Sequence, residues 1–128
     1  MPKQIDLPKD PEVILDIMNQ VSLFKGMSNE EYVGLFSVCE LLEFQADEVI
    51  FTEGSLSSGL YVLFSGRVDI STEKHGTLNS LQPCDVVGEI GLLCQVQRTA
   101  SATCFTDTVL LHIKKQDLNH LLGRFPHS

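Results

Sequence analysis

The chain has 128 residues, 43% of them hydrophobic, and sets 17 Asp and Glu against 9 Lys and Arg for a net charge of −8. That is one domain's worth of chain with enough apolar content to bury its own core, and it lacks the clustered basic residues that displace counterions from nucleic acid. The longest apolar runs are a few residues, too short for direct membrane insertion, and the opening MPKQIDLPKD has no apolar stretch of the signal-peptide kind.

Cys39, Cys84, Cys94 and Cys104 are dispersed, with no C-x-x-C pair. Reduced thiols and a cytoplasmic setting, including the cytosolic side of a membrane protein, are therefore expected in preference to disulfides. Asp10-Pro11-Glu12 then reads as a helix start: a capping side chain, a proline in the first turn and a carboxylate near the positive end of the dipole. Val13, Ile14, Ile17, Met18 and Val21 supply one apolar stripe behind it. Ser28-Asn29-Glu30-Glu31 has capping-box spacing, and Tyr32, Leu35, Phe36 and Cys39 follow at i, i+3, i+4 and i+7.

From Leu41 the period changes. ELLEF, EVIFT, GLYVLF, RVDIST, TLNSLQ, TASATCF and TVLLHI are short β-type runs separated by EGSLSSG, SG, KHG and TD. The expected fold is mainly β with flanking helices: an eight-stranded antiparallel β-roll or jelly roll. Residues 1–40 form a helical lead-in, 41–113 the roll, and 114–128 a short C-terminal helix ended by Gly123 and Pro126.

Within the roll, residues 88–102 read GEIGLLCQVQRTASA, and Arg98 is the only Lys or Arg between Lys74 and Lys114. Gly88 ahead of EIGLLC predicts a tight turn feeding a turn or two of helix, whose free N–H groups favour an anion. Gly88 and Gly91 let a ligand approach the main chain closely. A guanidinium arriving at Arg98 closes on the same anion with two parallel hydrogen bonds, which lysine cannot copy. Glu89 beside a phosphate would be repulsive unless it faces a donor such as a ribose hydroxyl. A sugar hydroxyl with one phosphate charge fits a cyclic nucleotide better than ATP, for which the chain has no G-x-x-x-x-G-K-[ST] loop.

These residues resemble the phosphate-binding cassette of the cyclic nucleotide-binding domains: Phe-Gly-Glu-x-Ala-Leu-Leu, a short variable stretch, then Arg-(Thr/Ser/Ala)-Ala. LFKGMSNEEYVGL is similar to the family's entry helix and EVIFTEGSLSSGLYVLFSGRVDI to its strand-glycine-strand signature, so the resemblance spans roughly residues 13–126. It implies that Glu89 accepts from the ribose 2′-hydroxyl and Arg98 pairs with the cyclic phosphate. Gly88, Ile90, Gly91, Thr99 and Ala100 would complete the site, and Thr99 leans toward cyclic GMP alongside cyclic AMP through the guanine 2-amino group.

Three positions depart from the pattern: Val87 stands for the aromatic, Cys84 for a glycine four residues before Gly88, and Gly91 for an alanine. The longer final helix that covers the base in the family has no counterpart before Ser128. The implied function is a regulatory, non-enzymatic module that needs no cofactor or metal, monomeric in isolation, relaying cyclic nucleotide occupancy to an effector domain such as an ion channel or kinase. A transcription factor is disfavoured, since no helix-turn-helix follows and the charge is acidic.

The competing reading is a ligand-free interaction domain on the same fold, with Glu89 and Arg98 as a surface ion pair. His75, His112, His120 and His127 lack the His-x-His spacing of a cupin-type metal site and read as ordinary surface or half-buried residues, while the cysteines read as small core residues. Gly54, Gly59 and Gly66 read as turn residues.

Overall fold

The computed structural model describes residues 2–21, 24–56, 58–87 and 98–117. Two capped helices lead into the roll. Helix α1 (Pro11–Asn19) starts at Asp10, whose side chain accepts from the Glu12 N–H at 3.0 Å. Helix α2 (Asn29–Val38) starts with the expected capping box: Ser28 Oγ accepts from the Glu31 N–H while Glu31 Oε1 accepts from the Ser28 N–H, both at 3.2 Å. Ile14, Met18 and Val21 are buried and Ile17 is partly so. Val13, expected on that stripe, is 40% exposed, because the fully buried line follows i, i+4, i+7 from Ile14 and leaves Val13 on its flank. Tyr32 donates its hydroxyl to the Phe24 carbonyl at 2.8 Å, tying the second helix to the segment before it.

Strands β1 (Lys3–Ile5), β2 (Cys39–Phe44), β3 (Val49–Phe51), β4 (Gly59–Ser65), β5 (Val68–Thr72), β6 (Gly76–Leu81), β7 (Val86–Val87), β8 (Ser101–Cys104) and β9 (Thr108–Lys114) form two antiparallel sheets. Their orders are β1-β2-β9-β4-β7 and β3-β8-β5-β6. Among the described residues these sheets make a mainly β, antiparallel roll, as expected. The lead-in is not purely helical, since β1 pairs with β2 and adds an edge to the first sheet. Helical backbone begins at Lys115, and the expected stop at Gly123 and Pro126 lies outside the described residues.

The first sheet is covered on both faces. Leu60 and Val62 of β4, with Leu111 and Ile113 of β9, pack with the helices, while Tyr61, Leu63 and Leu110 pack with Val68, Ala102 and Cys104 of the second sheet. This explains why GLYVLF and TVLLHI are continuous apolar runs: a strand buried on both faces has no polar side to alternate with. Strand β8 has one buried face, and its burial alternates residue by residue, with Ala102 and Cys104 inside.

The β4–β5 turn depends on Gly66, whose φ is +101°. A Cβ there would lie 2.6 Å from both the Asp107 carbonyl oxygen and Thr108 Oγ1. Left-handed strain and a clash with backbone act together, so Gly66→Ala should lower unfolding free energy by about 1–3 kcal/mol. Urea unfolding of the two proteins checks this; an unchanged midpoint would contradict it.

Candidate functional site

Of the residues expected to form the site, Gly88, Glu89, Ile90 and Gly91 lie outside the described residues. The strand that delivers them is well anchored. Val87 is fully buried in the intersheet core and pairs with Tyr61 of β4, so the apolar side chain in place of the family aromatic still fills this position. Ahead of it, the Cys84 N–H donates to the Leu63 carbonyl at 2.7 Å and the Leu63 N–H donates to the Asp85 carbonyl at 2.9 Å. Asp85 Oδ2 also accepts from the Gln82 N–H at 2.9 Å.

Cys84 takes up φ +77° within this turn. The left-handed conformation that suits a glycine is thus kept by a residue with a side chain, at a cost of about 1–2 kcal/mol. Glycine would relieve that strain but lose about 0.5–1 kcal/mol to its freer unfolded chain. Cys84→Gly should therefore raise stability by about 0.5–1 kcal/mol, read as a higher thermal or urea midpoint. A lower midpoint would show that the cysteine side chain contributes more than the strain costs.

Arg98 is 4% exposed. Its backbone is clamped to the β3–β4 connection in both directions: the Arg98 N–H donates to the Ser55 carbonyl at 2.7 Å, and the Gly54 N–H donates to the Arg98 carbonyl at 2.8 Å. Gly54, at φ +88°, makes that tight connection possible. One step further, the Glu53 N–H donates to Ser101 Oγ at 2.8 Å. The side chain is also directed, since Nη2 donates to the Gly59 carbonyl at 3.0 Å and Cζ lies 4.0 Å from the centroid of the Phe51 ring.

Burial pushes the Arg98 pKa down from its ordinary value, and Tyr61 acts in the opposite sense. An arginine nonetheless stays protonated at neutral pH. A positive charge is therefore held where the medium screens it poorly, which strengthens its attraction for an anion. Thr99, next along the chain, is exposed, and Ala100 is half-buried.

The residues that underlie Arg98, and those packed on them in turn, have a role that their types and spacing did not announce. Gly59, read as a turn residue, lies instead in β4, where a Cβ would collide with the Ile113 carbonyl and come within 2.9 Å of His112 Nε2. Phe51 ends β3 and supplies the face under the guanidinium. Its ring lies 6.3 Å from that of Tyr61, and Tyr61 stacks on His112 at 4.5 Å and 19°. His112 is 8% exposed, and its Nδ1 donates to Glu40 Oε1 at 2.7 Å. The signals were an aromatic at the end of EVIF and a histidine inside an apolar strand, neither of which reveals its partner.

Cys39 and Cys104 are buried, as read. The Cys39 thiol donates to the Leu35 carbonyl, and burial pushes its pKa up to about 12; burial also raises that of Cys104. Neither is a thiolate at neutral pH. Cys94, His120 and His127 lie outside the described residues.

Comparison with known proteins bears on the family and the fold. A family model described as the cyclic nucleotide-binding domain matches residues 41–125. The cAMP-dependent protein kinase regulatory subunit of Dictyostelium discoideum is 30% identical over 115 residues, covering 84% of this chain and 35% of that protein. The cyclic AMP receptor protein of Thermus thermophilus is 33% identical over 108 residues, covering 81% of this chain and 50% of that protein. Among solved structures, cAMP-bound PfPKA-R superposes with a TM-score of 0.83 at 25% identity, covering 94% of this chain and 45% of that one. The chain thus spans half or less of the length of these relatives.

Proposed function

We propose, from the premise that this chain belongs to the cyclic nucleotide-binding domain family, that its ligand is a 3′,5′-cyclic nucleotide and that Arg98 pairs with the cyclic phosphate. The observation that carries the reading is the buried guanidinium, fixed by the Gly59 carbonyl and the Phe51 face, nine residues along the chain from Glu89. Five N–H donors let one guanidinium serve a backbone carbonyl and a phosphate together. Glu89 takes the ribose 2′-hydroxyl, and the backbone of Gly88, Ile90 and Gly91 with Thr99 and Ala100 forms the rest of the cradle. The exposed Thr99 hydroxyl suits a contact with the ligand's phosphate or with a guanine base, so cyclic AMP and cyclic GMP are both candidates.

The role is binding and relay. Kinase regulatory subunits and a cyclic AMP receptor protein are among the relatives, and we assign the domain to an effector-coupled protein of the cytoplasm, as an ion channel or kinase module. Among the described residues no helix is long and apolar enough to cross a membrane.

Calorimetric titration of the folded domain with cyclic AMP and cyclic GMP tests the ligand. Arg98→Ala should weaken binding by about ten- to a hundredfold, the worth of a charge-assisted contact of about 1.5–3 kcal/mol. Absence of saturable binding by the wild-type domain would instead favour the interaction-domain reading.

The ribose contact is tested separately. Glu89→Gln should weaken binding of the natural ligand while leaving a 2′-deoxy analogue almost unaffected. Equal losses for the two would remove Glu89 from the ribose.

A further inference from the structure

Two side-chain contacts of Arg98, with the Gly59 carbonyl and the Phe51 ring, converge on one residue. The Gly59 carbonyl accepts from Nη2, and the Cα of Gly59 lies so near His112 that a Cβ would come within 2.9 Å of Nε2. The Phe51 ring that underlies the guanidinium leans on Tyr61, and Tyr61 stacks on His112. Strand register adds a further link. Glu40, His112, Tyr61 and Val87 are direct cross-strand neighbours on β2, β9, β4 and β7, a single row across the first sheet that ends one residue before Gly88.

We propose that His112, held by Glu40, is a positioning residue for Arg98: it sets the two supports on which the guanidinium rests. Glu40 fixes the ring, because a carboxylate can only accept, so Nδ1 carries the proton and donates across 2.7 Å. The other nitrogen, Nε2, is buried and has no hydrogen-bond partner among the described residues. Native interiors seldom leave such an atom unsatisfied without a reason. Here the reason is shape: the edge of the ring fills the space that the absent Gly59 side chain leaves, while its face carries Tyr61. A ring freed from Glu40 would lose both placements together, and the Gly59 carbonyl and the Phe51 face would shift under Arg98. The consequence for ligand affinity rests on the reading of Arg98 as the phosphate partner, whereas the consequence for Arg98 itself does not.

Two measurements on the same variants keep these apart: calorimetric titration with cyclic AMP and cyclic GMP, and the proton chemical shifts of the Arg98 side chain, which the Phe51 ring current displaces. In Glu40→Ala and His112→Asn the Arg98 shifts should move toward unperturbed arginine values, and cyclic nucleotide affinity should fall about five- to tenfold, that is about 1–1.4 kcal/mol. Glu40→Gln retains an acceptor for Nδ1 and should restore both to near wild type. Phe44→Leu, in the same intersheet core but outside the row, should lower stability without moving Arg98, which separates positioning from general loosening. Folded Glu40→Ala and His112→Asn proteins with wild-type Arg98 shifts would overturn the proposal. If the wild-type domain binds neither nucleotide, the phosphate reading falls and the Arg98 shifts alone decide whether His112 positions it.

Discussion

The hydrogen bond from Arg98 to the Gly59 carbonyl joins the two parts of the molecule that most need to agree. On one side is β4, buried on both faces and so unable to shift without disturbing both cores. On the other is the segment from Arg98 to Ala100 that enters β8. A guanidinium of many rotatable bonds would ordinarily lose much entropy on binding an anion. For a guanidinium already fixed on a rigid strand, part of that cost would be removed in advance. The same bond accounts for Gly59: only a residue without a side chain lets the strand pass this close to Ile113 and His112 while turning its carbonyl to Arg98.

The overall charge of −8 acts against this local attraction only weakly. Beyond about 8 Å at physiological ionic strength, exposed carboxylates are largely screened from an approaching anion, so the acidic surface bears more on encounter rate than on affinity. A buried arginine is screened far less. One cation placed where water is excluded can therefore define an anion site in an acidic chain, which is why the isolation of Arg98 between Lys74 and Lys114 carried more information than the net charge.

What the sequence made legible was local. Capping at Asp10 and Ser28 and the period change at Leu41 depend on neighbours a few residues apart, whereas the burial of Arg98 was not legible from its isolation in the sequence. What it hid was set by distance along the chain. The Glu40–His112 pair spans 72 positions and the Arg98–Gly59 bond 39, and no periodicity encodes which strand will lie beside which. Val86–Val87 is too short to read as a strand, and Lys3–Ile5 carries no alternating pattern, so β7 and β1 exist only because the roll offers each an edge to pair with. Cys84 was legible as a departure from glycine. That the turn would hold φ +77° regardless required the hydrogen bond from the Cys84 N–H to the Leu63 carbonyl and the one that the Leu63 N–H donates to the Asp85 carbonyl.

A ligand can move the rest of a protein only through a difference in affinity between two arrangements. Such a difference needs a route by which the cradle's geometry depends on the flanking elements. The row from Val87 through Tyr61 and His112 to Glu40 is a physical candidate, because Glu40 directly follows Cys39, the C-terminal cap of α2. If α2 shifts, the carboxylate that fixes His112 shifts with it, and the supports of Arg98 follow. By reciprocity, an anion that draws Arg98 into one position favours the placement of α2 that permits it. Packed rings and strands resist gradual deformation, so on the proposed reading a small displacement of Arg98 would be passed on as a choice between discrete packings.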